Sequence, residues 1–205
     1  MIYDISPVLN ESLAVWPGDT PLTRVWQARI ADGSNLDLST IQTTVHIGAH
    51  ADAPSHYSSS GLSIDQVALE AYWGPCILLT VKTRPLILPE DVVPVLGVSA
   101  KRVLFRTESF EPGEVFARDF VAFSPSALEV LGKQGVVLVG IDTPSVDPFD
   151  SKALPAHQTL LKFRMANLEG LNFTKVPDGR YELVALPLKL QGFDASPVRA
   201  ALRTL

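Results

Sequence analysis

The sequence contains little cysteine, no long apolar run and no excess of basic residues. Its single cysteine, Cys76, cannot form an intrachain disulfide, and the apolar run Cys-Ile-Leu-Leu-Thr-Val indicates a buried small side chain rather than a nucleophile. No window reaches the roughly 18 apolar residues that a membrane span needs, and the first residues lack the pattern of a signal peptide. We therefore expect a cytoplasmic protein without disulfides or membrane spans.

The charged residues are mildly biased towards acid. There are 17 Lys and Arg against 22 Asp and Glu, a formal net charge of −5, which argues against nucleic acid or an anionic membrane surface as a partner. The 205 residues are 46% hydrophobic and 19% charged, as in ordinary globular proteins and unlike disordered or fibrous ones. Because no repeat or linker-like tract interrupts the chain, we predict one domain over residues 1–205.

Apolar runs of strand length outnumber the helical patterns. The predicted strands are Met1 to Ile5, Thr23 to Ile30, Asn35 to Ile47, Cys76 to Val81, Arg102 to Arg106, Val136 to Ile141 and Tyr181 to Leu190. The predicted helices are Ser63 to Trp73, Pro89 to Leu96, Ser124 to Leu131 and about His157 to Met165. This pattern predicts a strand-rich α/β or α+β domain.

The histidines are strongly clustered. Three of the four, His46, His50 and His56, fall within eleven residues, and only His157 lies elsewhere. The residues of this stretch that can bind metal, Asp52 included, occupy even positions, and small or apolar residues fill the odd ones. Since side chains alternate along an extended chain, His46, His50 and Asp52 can share one face.

Spacing adds a constraint on the backbone of this stretch. Four residues of extended strand span roughly 13 Å, too far for two imidazoles to bind one ion at about 2.1 Å from each nitrogen. The chain between His46 and His50 must therefore curl, which Gly48 permits, and Pro54 stiffens the exit. We predict a catalytic or substrate-binding metal site with His/His/Asp ligands, at a strand end that leads into a loop.

Other interpretations of the cluster fit the residues less well. A helical His-Glu-x-x-His site is disfavoured because Ile47 stands where that motif has glutamate, and because Gly48 and Pro54 disfavour a helix. A structural zinc site usually contains several thiolates, and ordinary core histidines remain an alternative. A serine hydrolase is disfavoured because there is no Gly-x-Ser-x-Gly, and Ser55 and its neighbour His56 would point to opposite faces.

The stretch 46–56 reads His-x-Gly-x-His-x-Asp-x-Pro-x-His, which resembles the signature of the cyclase-type metal-dependent hydrolases, the family that includes the bacterial kynurenine formamidases. The resemblance extends over essentially the whole chain. It includes Val15-Trp16-Pro17-Gly18-Asp19, His157 leading into Leu160-Leu161-Lys162, Leu168-Glu169-Gly170-Leu171, and Tyr181 to Leu190. It implies a swivelling β/β/α-type fold and a homodimer or larger oligomer.

The resemblance also implies a role for each site residue. Two zinc ions per subunit would be bound, with manganese as the second choice. The ligands would be His46, His50 and Asp52 for the first ion, and Asp52, His157 and Glu169 for the second. His56 would be the general acid/base, a task that suits an imidazole with an ordinary pKa near 6.5.

The activity that the resemblance implies is hydrolysis of N-formyl-L-kynurenine to L-kynurenine and formate in tryptophan breakdown. Trp16, in a Pro-Gly loop, would contact the aryl ring, whereas we expect Trp26 and Trp73 to pack in the core. One alternative is a sibling hydrolase acting on another amide, such as isatin-type ring opening. A second alternative is a metal-binding protein without catalysis, against which the additional His56 argues.

Overall fold

The computed structural model describes residues 1–97 and 101–205. In these residues the strands are β1 (Ile2–Asp4), β2 (Thr23–Ala28), β3 (Leu38–Gln42), β4 (His50–Asp52), β5 (Trp73–Thr80), β6 (Leu86–Ile87), β7 (Arg102–Arg106), β8 (Ala122–Phe123), β9 (Leu138–Ile141), β10 (Ala166–Glu169), β11 (Gly179–Val184), β12 (Ala195–Pro197) and β13 (Ala201–Thr204). The helices are α1 (Pro125–Lys133) and α2 (Pro155–Phe163), with 3₁₀ helices at Ile30–Asp32, Pro54–His56, Ile64–Gln66, Leu69–Ala71 and Pro89–Val95.

A large mixed sheet dominates the described part of the chain. Nine strands follow the order β1-β13-β11-β5-β7-β9-β10-β4-β12, with parallel pairing from β5 to β10 and antiparallel pairing towards both edges. Two small ribbons, β2 with β3 and β6 with β8, lie apart from it. The strand-rich α/β fold predicted from the sequence is confirmed.

The central parallel strands are buried on both faces, so their sequences are almost continuously apolar. In β7, Val103 and Phe105 face one core cluster and Leu104 faces the other. Helices α1 and α2 cover the first of these clusters through Leu128 and Leu160, among other residues. Cys76 is buried in the second cluster, as predicted, and burial raises the pKa of its thiol to about 12.

Several sequence predictions need correction. The helix predicted from Ser63 to Trp73 is two separate 3₁₀ turns, because the chain extends at Val67 before the second turn begins. Trp26 and Trp73 are not core residues: they are 36% and 55% exposed. Trp26 lies on the β2–β3 ribbon beneath the Arg24 and Arg29 guanidinium groups, and Trp73, at the start of β5, donates to Glu182, so polar side chains rather than the core contact both rings.

The position of β4 determines where the site forms. This short strand lies between β10 and β12, with Glu169 opposite His50 and Ala195 opposite Asp52. All three residues of β4 are buried.

Among the described residues, no helix is long and apolar enough to cross a membrane.

Candidate metal centre

The histidine-rich stretch curls where the sequence predicts. Gly48 has φ of 57°, a left-handed conformation that glycine adopts most readily, and strand β4 begins two residues later. Gly170 packs so closely against this curl that a Cβ atom there would lie 2.2 Å from the Gly48 carbonyl oxygen. The same oxygen lies 2.9 Å from His50 Nδ1 and can accept its proton, which leaves Nε2 facing the cluster.

The curl, β4 and β10 bring ring nitrogens and carboxylate oxygens together around Asp52. Its Oδ1 lies 3.0 Å from His46 Nδ1 and 3.5 Å from His50 Nε2, and its Oδ2 lies 3.3 Å from His157 Nε2. Glu169 Oε2 lies 3.3 Å from His50 Nε2. The side chains of His50, Asp52, His157 and Glu169 are all 4% exposed or less, so the centre of this cluster is buried.

The donor set fits divalent metal ions. In the described part of the chain, His50 Nε2 and Asp52 Oδ1 are buried and have no partner in hydrogen-bonding geometry, although charged groups lie close by. Orphaned buried nitrogen and carboxylate atoms are costly unless something else satisfies them. Ligand atoms of His50, Asp52 and Glu169 all lie within 4.8 Å of one another, as do those of His46, Asp52 and His56. Imidazole and carboxylate ligands suit zinc and similar divalent ions.

Asp147 holds His157 in place, a role that the sequence did not reveal. Its Oδ2 lies 2.7 Å from His157 Nδ1, and its two oxygens also accept from the backbone N–H groups of Ala156 and His157. Asp147 therefore caps helix α2, whose own N-cap residue is Leu154, and directs His157 Nε2 towards Asp52. Helix α2 has no capping side chain of its own, and this missing cap was the signal that could have pointed to a partner such as Asp147.

Asn167 and the backbone fix the two carboxylates. Asn167 Nδ2 donates to Asp52 Oδ2 at 2.7 Å and to Glu169 Oε1 at 3.0 Å. The Val146 backbone N–H also donates to Glu169 Oε1, at 2.9 Å. Because Asn167 and Glu169 lie two apart on β10, both side chains point to the same face of the sheet.

His56 lies at the rim of the cluster. Its side chain is 33% exposed, against 18% for His46 and 3% for His50. The rings of His46 and His56 are close, with centroids 4.3 Å apart, and Asp194 lies beside both. This histidine therefore borders both the buried carboxylate and the open cavity.

The charges in the cluster perturb one another strongly. Burial disfavours a protonated His46, but the adjacent Asp52 and Asp194 carboxylates outweigh it and raise the pKa of His46 to about 9. Burial likewise opposes a charged His157, while Asp147, Asp52 and Glu169 hold its pKa well above the ordinary value. Burial alone would raise the pKa of Asp52, yet His157 and His46 hold it well below its usual range. Such opposed shifts in one cleft are typical of functional sites.

A cavity of about 560 Å³ opens onto this cluster. His46, His56, Glu169 and Asp194 line one part of it, and aromatic side chains line another: Trp16, Phe110, Phe116 and Phe193. Phe149 stacks against Trp16, with ring centroids 4.7 Å apart and planes at 23°. The cavity therefore combines a polar end, whose side chains suit a metal ion, with an apolar wall suited to a flat ring.

The structure thus brings all seven predicted site residues to one cavity or the cluster beneath it: Trp16, His46, His50, Asp52, His56, His157 and Glu169. It also adds residues that sequence reasoning missed, namely Asp147, Asn167, Asp194, Phe116 and Phe149. The ligand, catalytic and substrate-binding roles of the seven predicted residues remain predictions.

Comparisons with known proteins show which family and fold this chain shares. The family model described as "Putative cyclase" matches residues 3–148. A solved potential metal-dependent hydrolase with cyclase activity is 31% identical, with 98% of this chain and 96% of that one covered and a TM-score of 0.83. A predicted metal-dependent hydrolase from Bacillus stearothermophilus is 30% identical, with coverage of 98% and 97% and a TM-score of 0.82.

A third solved structure shares the fold at lower identity. Isatin hydrolase A from Labrenzia aggregata, bound to benzyl benzoate, is 23% identical. The alignment covers 98% of this chain and 93% of that chain, with a TM-score of 0.82. The fold is therefore common to proteins of quite different sequence.

Proposed function

This chain belongs to the cyclase family, and on that premise we propose that it is a metal-dependent hydrolase whose substrate is N-formyl-L-kynurenine. The products would be L-kynurenine and formate. The proposal rests on one observation: a buried His/Asp/Glu cluster and an aromatic wall adjoin the same cavity. An aryl formamide needs both parts, because its carbonyl is a poor electrophile and its ring is flat and apolar.

The residues that would hold the metal are His46, His50 and Asp52 for one ion, with Asp52, His157 and Glu169 for the other. Bound divalent ions, zinc in our proposal, supply Lewis acidity towards a carbonyl oxygen and lower the pKa of water towards neutrality. Asp147 and the Gly48 carbonyl orient two of the histidine rings, and Asn167 donates hydrogen bonds to the Asp52 and Glu169 carboxylates.

His56 would move the proton that the reaction needs. It lies at the boundary between the cluster and the cavity, and its Nδ1 faces Asp194, so Nε2 is the ring nitrogen left for proton exchange. Cleavage of the C–N bond requires a proton on the departing aryl amine, and an imidazole is well suited to donate it near neutral pH.

Trp16 would bind the aryl ring of the substrate. We expect Trp16→Ala to raise KM about tenfold while kcat changes little, because stacking on an aromatic surface contributes on the order of 1 kcal/mol beyond area burial. The control is Trp26→Ala, since Trp26 lies on the β2–β3 ribbon and does not line the cavity. The measurement is KM and kcat of both variants by steady-state kinetics. Thermal unfolding verifies that both variants are folded. An unchanged KM for Trp16→Ala would refute this role.

A direct assay tests the function. Purified protein is subjected to elemental analysis, and formation of L-kynurenine from N-formyl-L-kynurenine is followed by absorbance before chelation, after chelation and after zinc is restored. We expect about two zinc ions per chain and turnover that chelation abolishes and zinc restores. Isatin is offered in parallel, because an isatin hydrolase has the same fold. If the protein hydrolyses isatin in a metal-dependent reaction but not N-formyl-L-kynurenine, isatin replaces N-formyl-L-kynurenine as the proposed substrate. Turnover that resists the chelator would refute the metal mechanism.

A further inference from the structure

Asp194 lies where two histidines of the site converge. Its Oδ2 is 2.9 Å from His46 Nε2 and 3.4 Å from His56 Nδ1. No sequence motif points to it, and it lies 138 residues beyond His56 in the chain. Its side chain is 48% exposed and lines the cavity, so nothing in the packing of the core requires a carboxylate at this position.

Backbone hydrogen bonds anchor Asp194 despite that exposure. Its carbonyl oxygen accepts from the Ala53 backbone N–H at 2.8 Å, and the next residue, Ala195, pairs with Asp52 across β12 and β4. The preceding carbonyl, of Phe193, accepts from the Ile64 N–H at 2.9 Å. The sheet that positions Asp52 therefore also fixes Asp194, and the two carboxylates lie on opposite sides of the His46 ring.

We propose that Asp194 is a positioning residue that sets the tautomer and orientation of both His46 and His56. An ionised carboxylate only accepts, so Oδ2 selects N–H at His46 Nε2 and at His56 Nδ1. When a metal ion is bound, His46 would be neutral with its lone pair on Nδ1, which faces Asp52, and the exchangeable site of His56 would be Nε2. One carboxylate thereby aligns a metal ligand with the group that moves the proton. The inference rests on the proposed hydrolase function, because it assumes those two roles.

Carboxylate partners of ligand histidines orient the ring and raise its basicity, and their loss typically costs about 10- to 100-fold in metal affinity or activity. We therefore expect Asp194→Ala to lower zinc affinity by about that factor and to lower kcat while KM stays nearly constant. Asp194→Asn keeps an acceptor oxygen and the shape of the side chain, so it should recover part of both losses.

The decisive readout is the histidine tautomer itself. Zinc is diamagnetic, and with four histidines in the chain, long-range ¹H–¹⁵N spectra of the zinc-loaded protein can resolve each ring. We expect His46 protonated at Nε2 and His56 at Nδ1, with both assignments lost or mixed in Asp194→Ala. Asp65→Asn is the matched control: Asp65 accepts from the Gly192 N–H of the same loop at 3.0 Å but does not touch either histidine.

Unchanged tautomers and unchanged zinc affinity in a folded Asp194→Ala protein would overturn the inference, whatever its turnover. The same effects in Asp65→Asn would also overturn it, because they would indicate general disturbance of the loop. A wild-type protein that binds zinc but does not hydrolyse the formamide would refute the proposed substrate. The tautomer and affinity measurements would still decide the role of Asp194.

Discussion

Asp52→Asn is expected to abolish both metal binding and hydrolysis. Asp52 is the one carboxylate within 3.5 Å of three histidines in the described part of the chain, with Oδ1 near His46 and His50 and Oδ2 near His157. An amide offers one weaker acceptor in place of two anionic oxygens, so neither ion would keep its shared ligand. We expect kcat/KM to fall on the order of 10³-fold or more, together with the zinc content.

Loss of metal must be separated from loss of the fold. Asp142 offers a matched control, because it is also a buried carboxylate and it accepts from the Thr107 backbone N–H and hydroxyl rather than from histidine. Asp142→Asn should lower the free energy of unfolding but keep the metal. If elemental analysis finds a full complement of zinc in folded Asp52→Asn, Asp52 is not a shared ligand.

His56→Ala is expected to keep its metal and lose most of its turnover. Removal of a general acid/base typically costs about 10²- to 10⁴-fold in rate. The exposed position of His56 at the cavity rim, compared with the buried His50, supports a role in proton transfer rather than in metal binding. Single-turnover and steady-state kinetics with N-formyl-L-kynurenine, alongside zinc analysis, make the test.

The structure also allows a competing role for this residue. Ligand atoms of His46, Asp52 and His56 lie within 4.8 Å of one another, so His56 could itself be a ligand. His46→Ala provides the comparison, since it should lose both zinc and turnover. A His56→Ala protein that behaves in the same way would make His56 a ligand, and full turnover would remove it from the mechanism.

The local part of the site could be predicted from the sequence because it depends on local geometry. Even spacing placed His46, His50 and Asp52 on one face, and the distance between extended residues required the curl that occurs at Gly48. The roles of His157 and Glu169 came only from the family resemblance. Nothing in the local sequence indicates that a helix start and a strand end should meet β4.

Contacts between distant parts of the chain could not be predicted from the sequence patterns. Strands β10 and β12 are short and carry polar side chains such as Asn167 and Ser196 inside, so their hydrophobic pattern is weak. Asp194 lies next to His46 and His56 because β12 pairs with β4, and this pairing could not be predicted from the sequence. The predicted helix at Ser63 to Trp73 failed for a related reason, since a capping box marks the start of a turn and does not determine its length.

The pairing of β4 also has a consequence for synthesis of the protein on the ribosome. Its two neighbours, β10 and β12, contain residues 166–169 and 195–197, so each leaves the ribosome more than a hundred residues after β4. Until then, His50 on β4 lacks the neighbouring Glu169, and His46 lacks Asp194. The His/Asp/Glu cluster is therefore complete only after residue 169 has been translated, and Asp194 reaches His46 and His56 only after β12 has paired with β4.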